Sequence, residues 1–246
     1  MTTAPTSAGV RYLQLAQTLI NRLGETQWPQ ISAAANLVAD TVAAEHTVHV
    51  FGTGHSHMLA EELFYRAGGL VRVSPILFEG LMLHASAPLS TSLERLTGLA
   101  EALLIDHPIA PGDVLIVASN SGSNAVTSEL VQRVRLSGVP VIAVTSLQHS
   151  TSVKARSNDH PRLHELADIV IDNGGCVGDA SMAIPDFDAR VAPTSTVVGA
   201  AILNAVVAEA VQLLVERGVT PEVYSSSNTA GGDAANSRFI SRGAVR

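Results

Sequence analysis

Two short polar loops contain the residues whose types and spacing are best suited to chemistry. The first follows an apolar run and reads Gly52-Thr53-Gly54-His55-Ser56-His57. The second follows another apolar run and reads Ser119-Asn120-Ser121-Gly122-Ser123-Asn124. Glycines allow the backbone to approach a ligand closely, while serine hydroxyls and the free amides of a following helix donate hydrogen bonds. Such an arrangement of donors suits a phosphate group.

The second loop offers the larger set of donors. It supplies three hydroxyls, from Ser119, Ser121 and Ser123, and Gly122 frees its backbone. Asn124 can begin the next helix while its side chain either caps that helix or contacts a ligand. The same residue types also make ordinary strand-to-helix turns, so this loop alone leaves that alternative open. Two such loops at neighbouring strand ends together favour a phosphate site.

The elements that must position these loops alternate between short apolar strands and helices. Strands are predicted at 47–51, 70–73, 114–118, 140–145 and 168–171, with helices at 56–67 and 124–136. Apolar strands separated by helices are typical of a parallel sheet that is buried on both faces. The sequence therefore predicts an α/β fold, a doubly wound parallel sheet flanked by helices, with ligands at the carboxyl ends of the strands.

The chain is predicted to form one domain over residues 1–246, with helices at 1–45, a core at 46–218 and a polar tail at 219–246. Gly24 is predicted to end the first helix, and Pro29 to begin the second. Residues 173–192 are expected to form a long loop, and residues 193–196 to begin a helix. We expect the tail to be either mobile or held by a partner subunit.

Composition excludes several classes of function. The formal net charge is −7 and no basic run is present, which argues against binding to nucleic acid or to an anionic membrane. The longest apolar segment, near residues 197–215, is interrupted by polar residues and predicts a buried helix rather than a membrane span. No targeting segment is recognisable at the start, so a cytoplasmic location is expected. With only 15% charged residues, part of the surface is expected to face another subunit.

In these motifs the chain resembles the sugar isomerase (SIS) domain proteins. The second loop is similar to the family pattern Ser-x-Ser-Gly-x-(Ser/Thr/Asn), and the first to its Gly-x-Gly-x-Ser element. The segment 58–63 is similar to phosphoheptose isomerases, and 192–196 lies where the family begins its last core helix. The resemblance covers about residues 30–218. It implies a phosphosugar-binding, doubly wound domain that works as a homodimer or homotetramer, with phosphate ligands at Ser56, Ser119, Ser121 and Asn124. The last position is usually a hydroxyl residue, and here an amide must donate instead.

Isomerisation of a sugar phosphate would need a base beside the carbonyl, an acid for the oxygens and often a histidine for ring opening. Glu62 is our first candidate for the base, because it follows Ser56 within two helical turns. Glu79 and His84 are separated by five residues and can meet in one cleft if the segment between them curls. His55, inside the first loop, can donate to the anion or open a ring. Each carboxylate or histidine can equally be an ordinary surface or loop residue.

Neither a nucleotide nor a metal cofactor is expected. The motif Gly52-x-Gly54 has His57 where a dinucleotide fingerprint requires its third glycine. His55 and His57 with Glu61 or Glu62 can supply part of a metal site, but spacing places no further ligand. Some phosphoheptose isomerases do carry a divalent metal, so this alternative stays open. Cys176 is predicted to be a small buried thiol without a catalytic role.

Three functions remain compatible with the sequence. The first is an aldose-ketose isomerase that acts on a sugar phosphate. The second is a non-catalytic phosphosugar sensor, which in the resembling family often carries a helix-turn-helix domain; the first 45 residues are too few and too acidic for DNA reading. The third is an etherase or deaminase that acts on an amino-sugar phosphate.

Overall fold

The core of the structure, a computed structural model that describes residues 7–152 and 160–242, is a five-stranded parallel sheet. Its strands are β1 Val48–Gly52, β2 Val73–Ile76, β3 Val114–Ala118, β4 Val141–Thr145 and β5 Ile169–Asp172. Their spatial order is β2-β1-β3-β4-β5, and all neighbours are parallel. This is the doubly wound order in which the switch point lies between β1 and β3. The predicted fold class is confirmed.

Helices cover both faces of the sheet. They are α1 Ala8–Arg22, α2 Trp28–Ala43, α3 His57–Leu63, α4 Ala87–Leu93, α5 Leu99–Asp106, α6 Ala125–Leu136, α7 Leu147–Ser152, α8 Leu163–Leu166, α9 Ser195–Glu216 and α10 Gly232–Ser241. Alternate strand residues point to opposite faces, so Val50 and Ile116 pack with α2, α3 and α9. Leu115 and Val117 pack with α5 and α6 on the other face. The two layers hold the strand ends, and therefore the loops, in fixed positions.

The prediction that Gly24 ends the first helix is wrong. A π-helical turn, Leu23–Gln27, joins α1 to α2, so the two helices are continuous. Leu23 is buried in the core, and Gln27 accepts a hydrogen bond from the amide of Asp172 at 3.0 Å. Tertiary contacts of this kind override the weak helix propensity of one glycine.

The segment 173–192 is not wholly the long loop that the sequence predicts. It contains an antiparallel hairpin, β6 Ala180–Ile184 and β7 Phe187–Pro193. Most of β7 is exposed, so its residues lack the apolar alternation that would have predicted a strand. The hairpin packs on α1, where the hydroxyl of Tyr12 donates to the carbonyl of Pro193 at 2.8 Å.

The predicted strand at 70–73 begins three residues before the observed β2, because Leu70 and Val71 pair elsewhere. They bond to the C-terminal segment through an antiparallel bridge between Leu70 and Val223 and through the Val71 amide, which donates to the Glu222 carbonyl. Tyr224 and Phe239 pack on Val71 as a small aromatic cluster. The C-terminal segment, including α10, is thus held by its own chain, where we expected a mobile tail or a partner's contact.

One helix among the described residues, α9, is long and apolar enough to span a membrane by composition, with a mean hydropathy of 1.9. Its buried residues, which include Ile202, Val206 and Ala210, lie in the core cluster against α2. Packing accounts for its apolar sequence, as the interruptions by polar residues suggest.

At the amino-terminal edge of the sheet, opposite the two loops, His49 and Asp113 form a buried pair. The imidazole Nε2 of His49 lies 3.2 Å from Asp113, which also accepts from the amides of Thr47 and Ala110. Burial lowers the pKa of His49 and outweighs the opposing effect of Asp113. Burial alone would raise the pKa of Asp113, but its hydrogen bonds from Ala110, Thr47 and His49 lower it overall. The pair is therefore a neutral imidazole beside a carboxylate.

This pair makes stability depend on pH below neutrality. The unfolded chain binds a proton at His49 near pH 6.5, whereas the folded chain resists it, so the free energy of unfolding falls as pH drops below that value. The largest slope from one such group is about 1.4 kcal/mol per pH unit. We expect His49→Gln to flatten the decline between pH 7 and pH 5 in urea titrations, relative to wild type. Equal slopes in wild type and His49→Gln would contradict this account.

Candidate functional site

The two polar loops lie side by side at the carboxyl-terminal edge of the sheet. In the β1–β3 pairing, Gly52 is opposite Ala118, so the loops leave the sheet at the same level. The first loop leads into α3 and the second into α6. A cavity that is partly open to solvent lies between them, with about 270 Å³ of unfilled space.

Residues from five separate segments line this cavity. The first loop contributes His55 and Ser56, followed by Leu59 on α3, and the end of β3 contributes Ala118, Ser119 and Asn120. The remaining lining residues are Val144, Asn173, Ser195 and Thr196. Of the residues predicted for the site, His55, Ser56 and Ser119 are thus brought to one cavity.

The shape of the first loop depends on glycine at position 52. A Cβ atom there would lie 2.4 Å from the carbonyl oxygen of Ser56, so the loop folds directly over this residue. Gly54 has a positive φ of 57°, and its carbonyl accepts a hydrogen bond from the buried ring of His57. Thr53 donates to the carboxylate of Glu94 at 3.0 Å, which ties the loop to the end of α4. Ser56 is half-buried at the cavity wall.

The second loop is shaped by its own serine and glycine. The hydroxyl of Ser119 accepts a hydrogen bond from the amide of Gly122 at 3.1 Å. Gly122 has a φ of 60° and packs on Leu163, where an added Cβ would lie 2.9 Å from the leucine Cβ. Asn124 is the N-cap residue of α6, yet its side chain makes no capping hydrogen bond within the described residues. Ser121, Ser123 and Asn124, which were also predicted for the site, are not among the residues that line the cavity.

Three residues of the cavity wall escaped sequence analysis. Asn173 directly follows β5, and its amide nitrogen donates to the side-chain oxygen of Asn120 at 3.0 Å. Ser195 and Thr196 begin α9. The position of Asn173 at a strand end was a usable signal, because every parallel strand ends at the same edge. Nothing in the local sequence indicated that the start of α9 reaches the same cavity.

The predicted acid-base residues are spread around the cavity. His55 lines it, whereas Glu62 lies on α3 and faces α9: its carboxylate accepts from Asn204 at 2.8 Å and pairs with Arg66 at 2.8 Å. Glu79 begins a short 3₁₀ turn and is exposed. His84, also exposed, stacks edge-on against the ring of His57 with centroids 6.0 Å apart.

The metal ligands considered in the first loop can be located in the structure. Within 7–152 and 160–242, no three histidine, cysteine, aspartate or glutamate side chains are grouped so as to hold a metal ion. His57 and Glu61 come within 3.7 Å of each other across one helical turn, which provides two ligand types but not a third. Cys176, partly buried, lies next to Ala180 and Ser181 in the hairpin.

The loops and their cavity belong to a known type of domain. A profile of the SIS domain matches residues 11–146, more than half of the chain. A UPF0309 protein of Listeria monocytogenes serotype 4b is 41% identical over 231 residues, which is 94% of each chain. The chain belongs to the SIS domain family and to the UPF0309 proteins. The matched residues include both polar loops.

Solved SIS structures share the fold at low sequence identity. A phosphoheptose isomerase from Francisella tularensis superposes with a TM-score of 0.53 and 14% identity, covering 85% of this chain and all of that one. The sugar isomerase domain of the RpiR transcription factor from Sphaerobacter thermophilus superposes with a TM-score of 0.51 and 19% identity, covering 85% of this chain and 92% of that one. The SIS fold thus occurs in proteins named as an enzyme and as a regulator.

Proposed function

We propose that this SIS domain protein binds a phosphorylated sugar in the cavity between the two polar loops. The supporting observation is that Ser56 and Ser119, from separate strands, line one small cavity at the carboxyl edge of the sheet. In this proposal the phosphate accepts hydrogen bonds from Ser56 and from the second loop, through Ser119, Ser121, Ser123 and Asn124. The start of α6 adds backbone amides and the positive end of the helix dipole.

The reaction that we propose is aldose-ketose isomerisation without a cofactor. His55 lies at the cavity and can open a sugar ring or serve an oxygen as acid. Glu62 is the proposed base; it would have to exchange its contacts with Arg66 and Asn204 for the substrate. Glu79 and His84 are the proposed alternatives, on the segment that approaches His57. We further propose a cytoplasmic homodimer or homotetramer.

A phosphosugar sensor is the second candidate, and one observation favours it. Among the described residues that line the cavity, His55 is the single titratable side chain, and no carboxylate reaches the wall. A site that only binds needs donors and no base, which is what this wall provides. An etherase or deaminase for amino-sugar phosphates would need the same acid-base groups as the isomerase.

Thermal shift tests the binding proposal. A phosphorylated hexose or heptose is expected to raise the Tm, while the unphosphorylated parent leaves it unchanged, because the loops supply donors for an anion. At a ligand concentration of 100 times Kd the stabilisation would be about 2.7 kcal/mol. Equal shifts from a sugar phosphate and its parent sugar would rule out the phosphate assignment.

Incubation with sugar phosphates in deuterated water separates enzyme from sensor. Deuterium beside the carbonyl marks an isomerase, and saturable binding without exchange marks a sensor. If Glu62 is the base, Glu62→Gln abolishes exchange and spares binding, whereas Glu79→Gln retains exchange. The reverse pattern would transfer the role to Glu79.

A further inference from the structure

The start of α9 is held by a carboxylate from the hairpin. Asp179 accepts hydrogen bonds from the amides of Thr194 at 3.2 Å and Ser195 at 3.0 Å, and the hydroxyl of Ser195 donates to its other oxygen. Asp179 has a positive φ of 65°, a conformation that costs free energy in a residue other than glycine. The three hydrogen bonds compensate for that cost and fix the Ser195 side chain at the cavity wall.

This contact decides what Ser195 can offer a ligand. A hydroxyl has one hydrogen and two lone pairs, and an ionised carboxylate only accepts. Because the hydrogen of Ser195 is directed at Asp179, only lone pairs remain for the cavity. Ser195 therefore accepts from a ligand, and its partner must be a donor such as a sugar hydroxyl. A fully ionised phosphate has no hydrogen to donate.

The part of the cavity wall formed by the β3 loop supplies a hydrogen-bond donor. The side-chain oxygen of Asn120 is engaged by Asn173, whose own oxygen accepts from the amide of Gly175 at 2.9 Å. The amide nitrogen of Asn120 is left to donate into the cavity that this residue lines. The cavity thus has donors at the β3 loop, and Ser195 adds an acceptor at the start of α9, beside the hydroxyl of Thr196.

The charges at the starts of α9 and α6 favour the same placement of the phosphate, at the β3 loop. The N-terminus of a helix attracts anions, but at α9 that position already holds the carboxylate of Asp179. A phosphate dianion beside it would be repelled, by about 1 to 4 kcal/mol per pair of unit charges at 4 Å, depending on the local dielectric constant. At the start of α6 the N-cap residue is the uncharged Asn124, and the amide of Val126 donates to the backbone carbonyl of Glu94 at 3.2 Å.

We propose that Ser195, held by the positioning residue Asp179, is the specificity-determining residue that selects a hydroxyl donor on the sugar portion of the ligand. The proposal rests on the proposed phosphosugar site and adds its polarity: phosphate at the β3 loop, a donating sugar hydroxyl at α9. A ligand in which that hydroxyl is replaced by hydrogen or fluorine loses the contact, because neither substituent can donate.

Ligand analogues combined with variants test this assignment. Probes are glucose 6-phosphate, fructose 6-phosphate, their monodeoxy and monofluoro analogues, and inorganic phosphate, measured by calorimetry. In wild type we expect one ring position whose modification weakens binding at least 10-fold. In Ser195→Ala that penalty falls below 3-fold, while the affinity for inorganic phosphate stays within 2-fold of wild type. Ser181→Ala, which removes a neighbouring hydroxyl of the hairpin outside the cavity wall, keeps the full penalty.

Asp179→Asn adds a readout that a structural role would not change. An asparagine amide can donate to the hydroxyl of Ser195, which then turns its own hydrogen toward the ligand. The affinity for the fluoro analogue is therefore expected to rise relative to the affinity for the parent sugar phosphate. If this variant does not fold, Ser195→Ala alone decides. A penalty absent in wild type, or unchanged in Ser195→Ala, overturns the inference while leaving phosphate binding in place. Failure of every sugar phosphate to bind overturns the proposed function and this inference with it.

Discussion

Ser56→Asp is expected to reduce the affinity for a phosphorylated sugar at least 100-fold. Ser56 lies at the cavity wall and is the residue that precedes α3, so a carboxylate there faces the proposed phosphate. Repulsion between a carboxylate and a dianion a few ångströms apart amounts to several kcal/mol, and about 2.7 kcal/mol is a factor of 100 in Kd. Isothermal titration at low ionic strength, with the sugar phosphate that stabilises wild type most, measures the loss.

Ser56→Asn is the matched control, because asparagine has the shape of aspartate without its charge. Both residues are favourable at a helix N-cap, so neither variant is expected to lower the Tm of the free protein by more than a few degrees. The asparagine variant should retain affinity within 10-fold of wild type. Equal losses in the two variants would show that shape, and not charge, matters at position 56, and would count against a phosphate in this place.

Gly52→Ala is expected to abolish ligand-induced stabilisation and to lower the free energy of unfolding by about 1–3 kcal/mol. The added methyl group would lie 2.4 Å from the carbonyl oxygen of Ser56, which is backbone and cannot rotate away. The first loop must therefore move, and Ser56 moves with it. Urea unfolding measures the stability change, and thermal shift with and without sugar phosphate measures the binding change.

Gly24→Ala tests whether the effect belongs to position 52. A Cβ atom at Gly24 has no neighbour within 4 Å, and the site lies in the helical N-terminal region. Alanine there is expected to be neutral or to stabilise by up to about 1 kcal/mol, with ligand binding unchanged. If Gly52→Ala keeps the full ligand-induced stabilisation of wild type, the close approach of Gly52 to the Ser56 carbonyl does not control ligand binding.

The fold could be predicted from sequence because its strongest signals are local. The apolar run at 114–118 coincides with β3, and the segment 124–136 coincides with α6 to within one residue. Each signal depends on the burial of consecutive or periodic side chains, which a single segment displays by itself. The two loops rich in glycine and serine could also be recognised from sequence, since each directly follows an apolar run.

The errors arose where distant parts of the chain decide local structure. Gly24 does not end a helix because Leu23 is buried and Gln27 bonds to Asp172. The hairpin at 180–193 pairs exposed strands that carry no apolar alternation. Contacts between segments far apart in sequence were not visible from any single pattern.

The site was predicted in part for the same reason. Ser56 and Ser119 belong to loops with a readable motif, and the structure brings them to one cavity. Ser195 lines that cavity where the hairpin brings the start of α9 back beside Asp179. The sequence did not show in which direction a carboxylate near the loops would point. The Glu62 side chain points to Asn204 and does not line the cavity.

The pairing of residues 68–71 with 222–224 has a consequence for how the molecule assembles. These hydrogen bonds, together with the aromatic cluster of Tyr224 and Phe239, join the start of β2 to a segment that follows the whole sheet in sequence. Contacts between segments so far apart in sequence cost loop-closure entropy before they stabilise the domain. We therefore expect the C-terminal segment to join the sheet only after the local strand–helix units have formed.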